Sequence, residues 1–268
     1  MKRITSRQNP LVARFRAAAR GEDDERLLLD GVHLVDEALS AGIRLREAIV
    51  RANALGQAGL AAIVSRLERA GVAPAAASDS VMDAASPVRS SSAIAALADR
   101  PQAGDDRIFG SAALVVVACD VQDPGNVGAI VRVAEAAGAS GAIAAGRSAD
   151  PFGWKALRGS MGSALRLPIG RRASVEDVVA VARDRGCRIV ATVPRNGRSL
   201  FETDLTGPIA IAIGGEGAGL PPAVVEAAEL CVSVPMQPPV ESLNAAVTAA
   251  LLLYEARRQR GLVAGVGR

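Results

Sequence analysis

The stretch Cys119–Ser140, CDVQDPGNVGAIVRVAEAAGAS, passes from an apolar run into a glycine-punctuated helical pattern carrying Asn126 and Arg132. An amide at the head of a helix can orient a ligand, and a guanidinium is a fixed fork of donors for phosphate or a developing oxyanion. Six residues separate them, about 600° of helical turn, so one helical face cannot present both. With Asn126 in the loop before the helix, both can still point toward the C-terminal edge of a sheet. Arg132, between Val131 and Val133, needs a charged partner, and an ordinary salt bridge to Glu135 would provide one.

Two further segments carry polar groups in a similar setting. In IAIAIGGEGAGL, residues 209–220, an apolar strand runs into four glycines around Glu216. Glycine lets backbone amides approach a ligand closely and permits positive φ. The G-x-G-x-x-G spacing is absent and no GK[ST] occurs anywhere, so neither a dinucleotide fingerprint nor a Walker loop is present. The loop reads as a ligand loop or as a tight strand-to-helix turn. In VSVPMQPPVESLNAAVTAALLLYEARRQR, residues 232–260, a strand ends at Pro235 and a proline-rich loop leads to Ser242, expected as N-cap of a helix to Arg260. Ser242 and Asn244 then sit at its exposed start. Leu243, Val247, Leu251 and Tyr254 share one face, either core or a subunit interface.

The elements that must position these groups alternate. ALVVVACD (113–120) is a continuous apolar run of the kind buried on both faces. GAIAAG, CRIVATV, PIAIAIG and LCVSVP follow, with helical patterns SVEDVVAVARDRG and PPAVVEAAE between them. Such alternation predicts a mostly parallel sheet covered by helices. ADRPQAGDDRIFG (98–110) reads as a linker. Before it, RLLLDG, LREAIV and SSAIAALA read as strands, with helices at VHLVDEALSAG and GLAAIVSRLERAG. The expected division is therefore a small α/β domain over 1–104 and a larger one over 105–268.

Composition limits the alternatives. Of 268 residues, 50% are hydrophobic but only 2% aromatic, so the core is built from Ala, Val, Leu and Ile. Net charge is only +3, yet Met1–Arg20 and Trp154–Val175 contain several cations and no acid. Each run can hold nucleic-acid phosphates or form a solvated face. The odd set Cys119, Cys187 and Cys231 lacks a CxxC pair, which favours buried free thiols over a disulfide or metal site. No signal-like or membrane-length apolar run occurs, and a cytoplasmic location without membrane partner is expected.

Taken in order, DPGNVGAIVRVAEAAG, IGGEGAGL and VPM with SLNAAVTAALLLYEARRQ resemble motifs one to three of the SpoU-type (TrmH-like) RNA ribose 2′-O-methyltransferases of the SPOUT superfamily. DPFGWKALRGSMGSALRLPI resembles the family's intermotif segment. SRQNPLVARFRAAAR with LLLDGVHLVDEALSAG resembles its N-terminal substrate-binding domain, of ribosomal-protein-like α/β fold. The resemblance implies a trefoil-knotted catalytic domain that binds S-adenosylmethionine, no metal, and a homodimer acting on RNA, ribosomal RNA ahead of transfer RNA. A noncatalytic RNA-binding assembly factor is the alternative from another class. Carried over by position, Thr192, Gly214, Gly215, Glu216, Gly217, Val234, Met236, Ser242 and Leu243 would surround the cofactor. Asn126, Arg132, Glu216, Ser242 and Asn244 match the family's functional polar positions, and Arg14, Arg16, Lys155 and Arg158 are the expected RNA contacts. Gly215 stands where Asn, Ser or Ala is commoner, and Ala246 where Ser is frequent. In this reading Arg132 stabilises the developing alkoxide, Asn126 orients it or the ribose, Glu216 orders the cofactor loop, and water takes the proton.

Overall fold

The structure, a computed structural model, describes residues 1–88 and 90–261. The chain packs into two compact units. One comprises Met1–Pro101 together with Phe152–Arg166; the other comprises Gln102–Pro151 and the chain from Leu167 onward. The expected division at 104/105 lies close to the first crossing, but the segment 152–166 departs from it. That segment packs in the first unit, where Phe152, Ala156, Leu157 and Ser160 are buried and the Arg100 guanidinium lies 4.8 Å from the Phe152 ring centroid. Arg166 forms an ion pair with Glu37 there.

The first unit runs β1 (Arg3–Ile4), α1 (Pro10–Arg20), β2 (Arg26–Asp30), α2 (Val32–Ser40), β3 (Leu45–Arg51), α3 (Ala58–Arg69), β4 (Ala75–Ala77), α4 (Asp79–Ala85) and β5 (Ile94–Asp99). Its sheet has the order β1-β4-β3-β5-β2, with β1 and β3 parallel to β4, and β5 antiparallel to both β2 and β3. Asn9 starts α1 by accepting the Leu11 N–H at 2.9 Å, Pro10 occupies the first helical position, and Gly21 ends the helix at φ 72°.

The second unit continues α5 (Asp105–Ile108), β6 (Leu114–Cys119), α6 (Pro124–Ala137) and β7 (Gly141–Ala145). After α7 (Trp154–Ser160), which belongs to the first unit, come β8 (Ile169–Arg172), α8 (Val175–Asp184), β9 (Arg188–Thr192), β10 (Arg198–Ser199), β11 (Ile209–Gly214), α9 (Pro222–Ala227), β12 (Leu230–Ser233) and α10 (Ala245–Gln259). Seven strands form one parallel sheet, in the order β10-β12-β9-β11-β6-β7-β8. All six residues of β6 are buried, as its unbroken apolar run requires.

Two local expectations give way. The supposed linker 98–110 contains the end of β5 and the whole of α5, whose Ile108 is fully buried. The last helix is capped by Asn244, not Ser242. The Asn244 Oδ1 accepts the N–H groups of Ala246 at 2.9 Å and Val247 at 3.3 Å, and α10 begins at Ala245.

Candidate active site

In an open parallel sheet, loops leaving the C-terminal ends of the strands are free to converge on a ligand. Here the segments after β9, β11 and β12, with the first turns of α10, enclose a cavity of ≈ 440 Å³. All nine residues expected around the cofactor line it, from Thr192 through Gly214, Gly215, Glu216 and Gly217 to Val234, Met236, Ser242 and Leu243. The lining residues that sequence reasoning missed include Val193, Pro194, Val232, Thr248 and Leu252. Thr248 and Leu252 lie one and two turns beyond Asn244 on α10, a helical spacing that could have marked them.

The glycine loop is shaped by close backbone approach. A Cβ on Gly214 would lie 2.3 Å from the Gly219 carbonyl carbon, and one on Gly215 would lie 2.3 Å from the Asp120 carbonyl oxygen. Neither position can carry a side chain without moving backbone, so peptide groups themselves form this wall. Gly215 and Gly219 also bridge across the loop. The Thr192 hydroxyl donates to the Ala212 carbonyl at 2.8 Å, fixing the end of β9 beside β11.

A polar cluster adjoins the cavity. Asp123 caps α6, its Oδ1 accepting the Asn126 N–H at 2.8 Å, and Pro124 takes the first helical position. Asn126 therefore lies in the first turn of the helix and not in the loop before it. Its Nδ2 donates to Glu216 Oε1, and its Oδ1 accepts from Asn244 Nδ2 at 2.9 Å. Asn244 Nδ2 also reaches the same Glu216 oxygen at 3.4 Å. Three segments far apart in sequence are thus joined by the side chains of Asn126, Glu216 and Asn244.

Arg132 stands apart from this cluster. It lies farther along α6, is exposed, and makes no hydrogen bond or ion pair among the described residues. The salt bridge to Glu135 is not formed. The expected RNA contacts divide in two. Arg14 is tied to Glu47 through Nε at 2.8 Å and Nη2 at 2.5 Å, and Arg16 donates to the Ala84 carbonyl at 2.8 Å. Lys155 and Arg158 are exposed on α7, and the Lys155 ammonium lies 5.4 Å from the Trp154 ring centroid.

Cys119, Cys187 and Cys231 are free thiols, and burial pushes Cys119 up to about 12. Among the described residues no cluster of His, Cys, Asp and Glu could hold a metal ion, and no helix is long and apolar enough to cross a membrane.

Residues 113–254, more than half of the chain, match the SpoU rRNA methylase family. The chain belongs to that family. An uncharacterized tRNA/rRNA methyltransferase of Synechocystis sp. is 35% identical over 265 residues, covering 96% of this chain and 94% of that protein. The 23S rRNA (guanosine(2553)-2′-O)-methyltransferase of Bacillus subtilis is 31% identical over 260 residues, 96% of this chain and 100% of that protein. The SpoU methyltransferase AviRb from Streptomyces viridochromogenes, solved with the cofactor AdoMet, superposes with a TM-score of 0.82 at 29% identity, covering 97% of this chain and 100% of that one. The SpoU match takes in the strands, loops and helix that build the cavity, while the full-length relatives extend over the first unit as well.

Proposed function

We propose that this SpoU-family chain is an S-adenosylmethionine-dependent methyltransferase acting on the ribose 2′-oxygen of ribosomal RNA, 23S rRNA in particular. The observation that carries the reading is the cavity at the ends of β9, β11 and β12, adjoined by Asn126, Glu216 and Asn244. The donor set fits this cofactor. Bare peptide groups at Gly214–Gly217 can bond a nucleoside and an amino-acid moiety, Val193, Pro194, Val232 and Leu252 offer apolar walls, and Ser242 and Thr248 add hydroxyls. Bound there, S-adenosylmethionine supplies a methyl group activated by its sulfonium. The chain's own residues orient the acceptor ribose, exclude water and stabilise the developing oxyanion.

Ribosomal RNA is favoured over transfer RNA because the 23S-directed Bacillus relative aligns along its whole length, first unit included. In this reading the first unit binds RNA, and Lys155 and Arg158 meet its backbone. The catalytic unit forms a homodimer in the cytoplasm, and its chain closes a trefoil knot around the cofactor loops. Arg132, without hydrogen bond or ion pair among the described residues, serves the partner's site as the donor that binds phosphate and steadies the alkoxide. Calorimetry with S-adenosylmethionine tests the cavity. Methyl transfer to separated ribosomal and transfer RNA, with mapping of 2′-O-methyl positions, tests the substrate. Protein that binds RNA but no S-adenosylmethionine would be an assembly factor instead.

A further inference from the structure

Transfer of a methyl group to a ribose hydroxyl releases a proton, and the site must give that proton somewhere to go. Arg132 stays protonated and cannot take it. Among the side chains found lining the cavity, Glu216 alone is a carboxylate; the others are apolar, hydroxyl or amide. His33, the chain's single histidine, belongs to the first unit, where its Nε2 lies 3.2 Å from the Met161 carbonyl oxygen.

The two oxygens of Glu216 are not equivalent. Oε1 receives both amide groups, from Asn126 and Asn244, whereas nothing among the described residues donates to Oε2. Two donors on one oxygen fix the carboxylate plane and leave the other oxygen open. Glu216 is exposed while also lining the cavity, so its carboxylate borders both solvent and the cofactor cavity. We propose that Glu216 is the base that takes the ribose 2′-proton, an inference that rests on the methyltransferase reading above.

The balance is complete without another reactant. The ribose oxygen forms its bond to the methyl carbon as the carbon–sulfur bond breaks, and that electron pair stays on sulfur. The hydroxyl proton passes to Glu216 Oε2 and then to water. Asn126 and Asn244 become positioning residues that act through Glu216. The other carboxylates on neighbouring segments are already engaged. Asp123 caps α6, Asp120 accepts the Arg147 N–H at 2.7 Å, and Glu241 pairs with Arg195 at 2.5 Å.

The test is single-turnover methylation of ribosomal RNA by wild type, Glu216→Gln and Glu216→Asp between about pH 6 and 9, alongside calorimetric S-adenosylmethionine affinity and melting temperature. Glutamine keeps the acceptor on the Oε1 side and removes the base. Glu216→Gln should keep cofactor affinity within about threefold and melt normally, with methyl transfer lowered about 10²–10⁴-fold at pH 7. Its rate should climb about tenfold per pH unit as hydroxide substitutes, where wild type is flat; Glu216→Asp should stay flat at an intermediate rate. A Gln variant at wild-type rate overturns the assignment, as does a slowed variant with an unchanged pH profile or one whose defect is lost cofactor affinity. Wild type that neither binds S-adenosylmethionine nor methylates overturns the functional reading, and the base with it.

Discussion

Gly215 is the residue at which backbone sterics dictates identity most directly. Set against the family resemblance, glycine there is a departure from the commoner Asn, Ser or Ala, and the reason is local. In this backbone a Cβ meets the Asp120 carbonyl oxygen at 2.3 Å, well inside van der Waals contact, and Asp120 itself sits at φ 55°. Gly215→Ala should push the loop off β6, lowering S-adenosylmethionine affinity at least about tenfold by calorimetry, the scale of 1–3 kcal/mol that overpacking typically costs. Arg132 gives the opposite expectation. Because it makes no hydrogen bond or ion pair among the described residues, Arg132→Ala should melt with wild type yet lose about 10²–10³ in turnover. Lysine should rescue poorly, since it lacks the planar fork. An earlier melt with normal turnover of the folded fraction would make Arg132 structural.

At the scale of elements, α10 is held at both ends by different chemistry. Asn244 caps its start and reaches Asn126 and Glu216, so the helix begins inside the site. At its far end Gln259 Nε2 donates to the Thr203 carbonyl at 2.9 Å. The Arg260 guanidinium donates to the carbonyls of Ala112, Ala113, Leu205 and Gly207. Those carbonyls lie just before β6 and β11, the central strands. Arg260→Met should leave several without a donor and cost about 1.5–3 kcal/mol, read from urea unfolding. This helix also shows what sequence could and could not reveal. Its existence and its apolar stripe follow from spacing, and the glycine loop and proline-rich loop follow from composition. Ser242 and Asn244 are both good caps two residues apart, and only the path of the backbone decides between them. The segment 152–166 was illegible for a related reason. Its apolar positions, Phe152, Ala156 and Leu157, would suit either core, and no break in composition marks where the chain leaves one unit for the other.

For the whole molecule, the outward-facing chemistry differs between the units. In the first, Arg14 already has Glu47, whereas Lys155 and Arg158 are exposed. Lys155→Glu with Arg158→Glu should weaken ribosomal RNA binding and flatten its salt dependence, leaving cofactor affinity unchanged, and Arg14→Gln should do less. In the second, the apolar stripe at α10 is exposed among the described residues. Leu243, just before the helix, and Val247, Leu251 and Tyr254 on it are 36%, 48%, 38% and 50% exposed, the last three at spacings that place them along one side of the helix. Their exposure argues against the core reading: among the described residues they are not core. A second copy covering the stripe would remove apolar surface from water at about 25 cal/mol per Å². It would also bring the neighbouring α6, with its exposed Arg132, toward the partner. Leu251→Glu should therefore yield a folded monomer by light scattering, with methylation lowered at least about 10²–10³-fold, because the partner's Arg132 is lost. Mixed dimers of Arg132→Ala and Gly215→Ala subunits should regain partial activity, since one of their two sites keeps an intact loop and the other subunit's damage falls elsewhere. A Leu251→Glu monomer that methylates at the wild-type rate would show that each chain completes its own site.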